Sequence, residues 1–102
     1  MVGLEGIRVE YAMMETPNGH GRLELVKFRA PSGPDGDRHA PANTPGLRHL
    51  AFGVDDLDAV VASLRARGAK LVGEIENYEG IYRLCYVRGP EGIIVELAER
   101  IG

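Results

Sequence analysis

The feature that most limits this chain is a proline-rich interruption. Residues 30–46, Ala-Pro-Ser-Gly-Pro-Asp-Gly-Asp-Arg-His-Ala-Pro-Ala-Asn-Thr-Pro-Gly, hold four of its six prolines. Proline fixes φ and removes a backbone donor, so this stretch cannot supply the interior of a helix or a central strand. It carries almost no apolar periodicity and reads as a linker or long loop. The 102-residue chain is therefore divided unequally. Residues 1–29 have room for little more than a hairpin, and residues 47–102 for one small layered module.

Before the interruption, residues 7–15 and 22–28 read as strands. Between them lies Thr16-Pro17-Asn18-Gly19-His20-Gly21. Asn-Gly is a hairpin signal, because both residues tolerate positive φ. In the second strand Arg22, Glu24, Val26 and Phe28 share one face, and Leu23 and Leu25 the other.

After the interruption the pattern predicts strand, helix, strand, strand, strand. In Leu47–Val54, Leu50, Phe52 and Val54 share a face while His49 and Ala51 point the opposite way. Asp55 or Asp56 then caps a helix whose Leu57, Val60, Val61 and Leu64 fall at helical spacing. Arg65 and Arg67 suit its last turn, and Gly68 its left-handed stop. Further strands are predicted at Lys70–Ile75, Ile81–Val87 and Ile93–Ala98, the last two joined by Gly89-Pro90-Glu91-Gly92. The fold class is α+β, with one complete βαβββ module at 47–102.

The two parts also match internally. Ile7 to Phe28 reads strand, Pro/Gly turn, strand, with Leu23-Glu24-Leu25 in the second strand; Ile81 to Glu99 repeats that order with Val95-Glu96-Leu97. Glu24 and Glu96 occupy equivalent places. Residues 1–29 thus look like the last two strands of a preceding module, and 30–46 like its connection to the second.

Composition narrows the function classes. A formal charge of −3 with no basic stripe gives no footprint for nucleic acid. No apolar run is long enough to span a membrane, and no signal-peptide pattern follows Met1. The single cysteine, Cys85, cannot form an internal disulfide, which suits a reducing, cytoplasmic setting. No Ser-His-Asp set, phosphate loop or cysteine zinc pattern is present.

Two segments together carry a family resemblance. Gly46-Leu47-Arg48-His49-Leu50-Ala51-Phe52-Gly53-Val54-Asp55-Asp56 is a strand that enters a helix. Some forty residues later stands Arg88-Gly89-Pro90-Glu91-Gly92-Ile93-Ile94-Val95-Glu96-Leu97. With the βαβββ order, these resemble the vicinal-oxygen-chelate superfamily, which includes glyoxalase I, methylmalonyl-CoA epimerase, bleomycin-resistance proteins and extradiol dioxygenases. The resemblance covers essentially residues 5–100. It implies paired βαβββ modules, each forming half of a cupped sheet.

The resemblance also implies a site. In metal-dependent members each module gives one ligand from its first strand and one from its last. His49 matches the first-strand ligand of the second module, Glu96 its last-strand ligand, and Glu24 the last-strand ligand of the first module. The first-strand ligand of the first module has no counterpart here. Imidazole and carboxylate donors suit zinc, nickel, cobalt, iron or manganese. The implied activity is that of a metal-dependent lyase or isomerase acting on a small oxygenated substrate, such as a thioester or thiol adduct. Glu96 and Glu24 are the candidate proton-transfer groups. No histidine stands in residues 76–90, where an extradiol dioxygenase would need its second one.

Competing readings are a metal-free small-molecule binding or resistance protein and an inactive truncated domain. Taken alone, His49 is an ordinary strand histidine, and the two glutamates are ordinary strand glutamates. His20 and His39 read as solvated. Tyr11, Tyr78, Tyr82 and Tyr86 read as packing residues, Cys85 as a small buried hydrophobe, and Arg83 as exposed with some reach toward an anionic substrate. Unpaired sheet edges and apolar faces imply a homodimer.

Overall fold

The computed structural model describes residues 2–102. It divides into two compact units, one ending at Asp35 and the other running Gly36–Gly102. In the first, β1 (Arg8–Glu15) and β2 (Arg22–Ala30) form a two-stranded antiparallel sheet. The turn is built by Thr16 and Asn18. Gly21 N donates to Thr16 Oγ1 at 3.0 Å and His20 N to Asn18 Oδ1 at 2.9 Å, while Gly19 takes φ +75°. The register pairs Val9 with Phe28, Tyr11 with Val26 and Met13 with Glu24. Glu24 therefore shares a face with five apolar side chains of the hairpin.

The second unit runs β3 (His49–Val54), α1 (Leu57–Ala66), β4 (Glu76–Tyr78), β5 (Tyr82–Arg88), a short 3₁₀ turn at Pro90–Gly92 and β6 (Ile94–Arg100). The sheet order is β3-β6-β5-β4, with β3 and β6 parallel and the other pairs antiparallel. This is the expected α+β, βαβββ arrangement. The helix begins where the sequence puts a cap: Asp56 accepts from Ala59 N at 3.1 Å. It ends where Gly68 adopts φ +90° and Ala69 N bonds back to Leu64 O at 3.0 Å.

The helix packs on one face of the sheet. Leu57, Val61, Cys85 and Leu97 are buried together, with Phe52, Val54, Val60, Leu64, Leu71, Ile75 and Val95 against them. These are the odd positions of β5 and β6 and the even positions of β3, the apolar parity of each strand. A second tie fixes the helix start. Glu99 on β6 accepts Leu57 N at 3.0 Å, satisfying one of the first-turn donors that have no partner within the helix. Glu99→Ala is expected to cost about 1 kcal/mol, measured as a lowered urea midpoint with unchanged slope. No change in midpoint would show that solvent satisfies this donor equally well.

One strand lies later than expected. Lys70–Ile75 makes a single bridge, Leu71 to Val87, and regular pairing starts only at Glu76. Gly73 takes φ +81°, which bends the extended run away from β5 before it can pair continuously. The loop at 36–48 carries neither helix nor strand, yet Ala40 within it is buried. It crosses the β5–β6 turn at Gly92, where the Arg38 backbone occupies the place of a Cβ. Gly92 also holds φ +87°, so an L side chain is doubly excluded. Among the described residues no helix is long and apolar enough to cross a membrane.

Candidate metal centre and adjoining cavity

The face of the four-stranded sheet opposite the helix carries the candidate residues. Because β3 pairs Ala51 with Glu96, and His49 lies two residues before Ala51, His49 and Glu96 share this face on neighbouring strands. His49 Nε2 lies 2.9 Å from Glu96 Oε1. The glutamate side chain is 19% exposed and the imidazole 43%. The pair is thus anchored on the carboxylate side and open to solvent on the histidine side. The other residues that β3 gives to this face are Ala51 and Gly53, whose small size leaves the space beside Glu96 clear.

Tyr86 stands directly across from Glu96 on β5. Its ring meets His49 edge to face, with centroids 5.5 Å apart and planes at 67°. Burial pushes the Tyr86 phenol above its ordinary pKa. The negative charges of Glu96 and Glu76 add to this, as does a hydrogen bond with Glu96. The phenol is therefore held as a neutral donor beside the carboxylate.

The remaining candidates fall elsewhere. Glu24 is an exposed residue of β2, in the first unit. His20 and His39 are exposed. Arg83 has the parity of Cys85 and turns to the helix side. There it clasps Asp58 through two hydrogen bonds of 3.0 and 3.1 Å, with Glu99 at 4.0 Å. The contact holds the Asp58 carboxyl below its usual range, mainly through the hydrogen bonds and secondly through the guanidinium charge. Arg83 is thus spent on tying β5 to α1. Cys85 is fully buried, and burial raises its thiol pKa, so it is an unreactive core residue.

Tyr78, Tyr82 and Tyr86, read from sequence as packing residues, line an open cavity of about 320 Å³ with Leu84, Glu96 and Ala98. The period-two spacing Tyr82-Leu84-Tyr86 was the available signal. Strand register brings these side chains together: Tyr86 lies opposite Glu96, Leu84 opposite Ala98 and Tyr78 opposite Tyr82.

The profile of the Glyoxalase/Bleomycin resistance protein/Dioxygenase superfamily matches residues 2–97. The chain belongs to that superfamily. It is 36% identical over 84 residues to the uncharacterized protein YaeR of Escherichia coli (strain K12), a match covering 81% of this chain and 61% of YaeR. It is similar to the crystal structure of a glyoxalase family protein from Bacillus cereus, at 48% identity and a TM-score of 0.89, over 99% of this chain and 68% of that one. A glyoxalase family protein from Enterococcus faecalis is similar at 26% identity and a TM-score of 0.55, over 92% of this chain and 79% of that one. The chain thus spans about three fifths of the length of YaeR.

Donors with bonds of about 2.1 Å stand about 3.4 Å apart on a tetrahedral ion and about 3 Å apart on an octahedral one. The 2.9 Å separation of Nε2 and Oε1 is close to the octahedral spacing and about half an ångström short of the tetrahedral one. Imidazole with carboxylate is also the donor chemistry of borderline divalent ions. Among the described residues of 36–102, no third histidine, cysteine or acidic side chain joins the pair in a group able to hold a metal.

Proposed function

We propose that the protein is a glyoxalase-like, metal-dependent lyase or isomerase that moves a proton on a small oxygenated substrate. The observation that carries this reading is the His49–Glu96 pair, 2.9 Å apart on the open face of the sheet. His49 and Glu96 would hold a divalent ion such as zinc, nickel, cobalt, iron or manganese, with Glu24 as a third ligand. A bound ion would supply Lewis acidity, stabilising negative charge on substrate oxygens. Ligation through Nε2 requires that nitrogen to carry no hydrogen. Glu96 is the group that takes and returns the proton, and Glu24 is the second candidate. The neutral Tyr86 phenol steadies the Glu96 carboxylate, and the apolar floor formed by Leu84 and Ala98 thins the water around it.

The test is elemental analysis of the purified chain before and after reconstitution. About one ion per assembled site is expected, from the ligand count of such centres. A chain that holds no metal in either state overturns the proposal. That outcome would instead favour a metal-free small-molecule binding protein, a reading supported by the tyrosine-lined cavity.

Residues 1–29 fit the last two strands of a first module, and 30–46 its connection. The hairpin favours a homodimer. Every residue of β1 is exposed, with Tyr11 at 70%, Met13 at 55% and Met14 at 51%. A lone two-stranded ribbon is marginal in water, and such apolar exposure calls for a cover. Sedimentation at micromolar concentration is expected to show a dimer; a single monomeric species would remove this part of the reading.

A further inference from the structure

We infer that the cavity beside His49 and Glu96 is a subsite for an uncharged aromatic ring attached to the substrate's oxygen-bearing carbon. This rests on reading that pair as the reacting centre, and it adds the substrate class.

Size is the first argument. The cavity measures about 320 Å³. An apolar cavity of about 150 Å³ is enough to take up benzene. The space here therefore holds one ring together with the two oxygen-bearing carbons that would bring its substituent to Glu96. Shape follows from the register. Tyr82 and Tyr86 stand on β5 with Leu84 between them, and Tyr78 closes the end from β4. Ala98 sits opposite Leu84, where its short side chain leaves depth that any larger residue would fill. Aromatic walls over an aliphatic floor match the face and edge of a ring.

Charge is the second argument. Glu96 is the one carboxylate among the lining residues, and none of them is a lysine, arginine or histidine. Arg83, the cation nearest in sequence, faces the helix and is bound to Asp58. Arg100 shares the parity of Ala98, lies opposite Tyr82 and gives its Nε hydrogen to Gly102 O at 2.8 Å; it is not part of the lining. Away from the His49–Glu96 centre, the lining offers a phosphate or carboxylate no cationic side chain. The site thus selects against anionic substituents as well as for apolar ones.

The experiment uses the full chain, with and without reconstituted zinc, and two neutral probes that share the same vicinal oxygens. 2-Hydroxyacetophenone carries a phenyl group where hydroxyacetone carries a methyl. Binding is followed by NMR through the ring protons of Tyr78, Tyr82 and Tyr86. The phenyl probe is expected to bind at least about tenfold more tightly, because burying a ring in place of a methyl is worth a decade or more in affinity. A 4-carboxylate on the ring should cancel that advantage. Ala98→Leu should remove the preference by filling the cavity. Tyr78→Ala, at the solvent-exposed end of the sheet, should weaken it with the fold untouched. Equal affinities for the two neutral probes, no binding of either, or a preference surviving both substitutions would overturn the inference. A phenyl preference in a chain that takes up no metal would keep the subsite and remove the metal reading. A metal-loaded chain without the preference would do the reverse.

Discussion

Glu96→Ala is expected to reduce metal uptake to background while the chain stays folded, and His49→Ala to do the same. The reason is the small number of donors. His49 and Glu96 are the two that the 36–102 unit contributes, and losing either leaves that unit with a single ligand. A catalytic zinc centre ordinarily uses three protein ligands. Structural cost should be small. Glu96 lies on the open face, away from the Leu57, Val61, Cys85 and Leu97 cluster, and His49 is half exposed at the start of an edge strand. Circular dichroism and urea midpoints close to those of the parent would show that lost uptake reflects lost ligands. Glu96→Gln sharpens the test by keeping size and hydrogen bonding while removing the charge. It should lose nearly as much uptake as alanine if the carboxylate is a ligand. It should keep uptake if Glu96 only orients the imidazole. Glu24→Ala separates the third ligand from the first two. A drop in affinity without total loss would give Glu24 a supporting place, and unchanged affinity would remove it from the set. Retention of metal in both the Glu96 and His49 variants would sink the whole assignment.

The sequence made the second unit legible because its strands bury one face only. Alternation in Leu50-Ala51-Phe52-Gly53-Val54 and Val95-Glu96-Leu97 fixes parity. Once the apolar parity packs on α1, His49 and Glu96 must emerge together on the other side. The helix ends were legible because caps are chemical: Asp56 accepts from the first turn and Gly68 takes the left-handed turn. Three things were hidden for the opposite reason, that they depend on partners far away in the chain. The start of β4 is set by where Gly73 lets the chain rejoin β5, which apolar content at Lys70–Ile75 does not report. Arg83 faces the helix by its strand parity, but its partner there, Asp58, stands 25 residues earlier. That the tyrosines line a common cavity depends on the β4–β5 and β5–β6 registers, which set Tyr78 against Tyr82 and Tyr86 against Glu96. The first unit remains the less determined half. A hairpin's local turn chemistry is readable at Asn18-Gly19, but what covers its apolar side chains is not written in its own residues.

Leu57→Ala should produce the largest loss of stability of any single substitution considered. Leu57 is completely buried, and it is the residue through which α1, β5 and β6 meet, with Val61, Cys85 and Leu97 around it. Removing a buried leucine side chain costs about 3 kcal/mol, within a range of about 2–5 that depends on how far the cavity collapses. Collapse should be limited here. Leu57 follows the Asp56 cap directly, and its own backbone N–H is fixed to Glu99, so the helix start cannot slide inward to fill the space. Alanine is the better helix former, so intrinsic propensity works weakly against the loss and cannot be its cause. For a domain of this size, whose whole stability is on the order of 5 kcal/mol, such a cost leaves about 2 kcal/mol, or roughly thirty folded molecules for each unfolded one. The measurement is urea unfolding of the 36–102 unit, followed by the NMR signals of Tyr82 and Tyr86 on β5. Leu64→Ala serves as the comparison. It lies on the same helix face but is only half buried, and it should lose clearly less. Equal losses at the two positions would mean that the helix packs through its whole length and that Leu57 is no special anchor. A loss below about 1 kcal/mol at Leu57 would contradict its full burial, since no leucine in a closed core gives up so little.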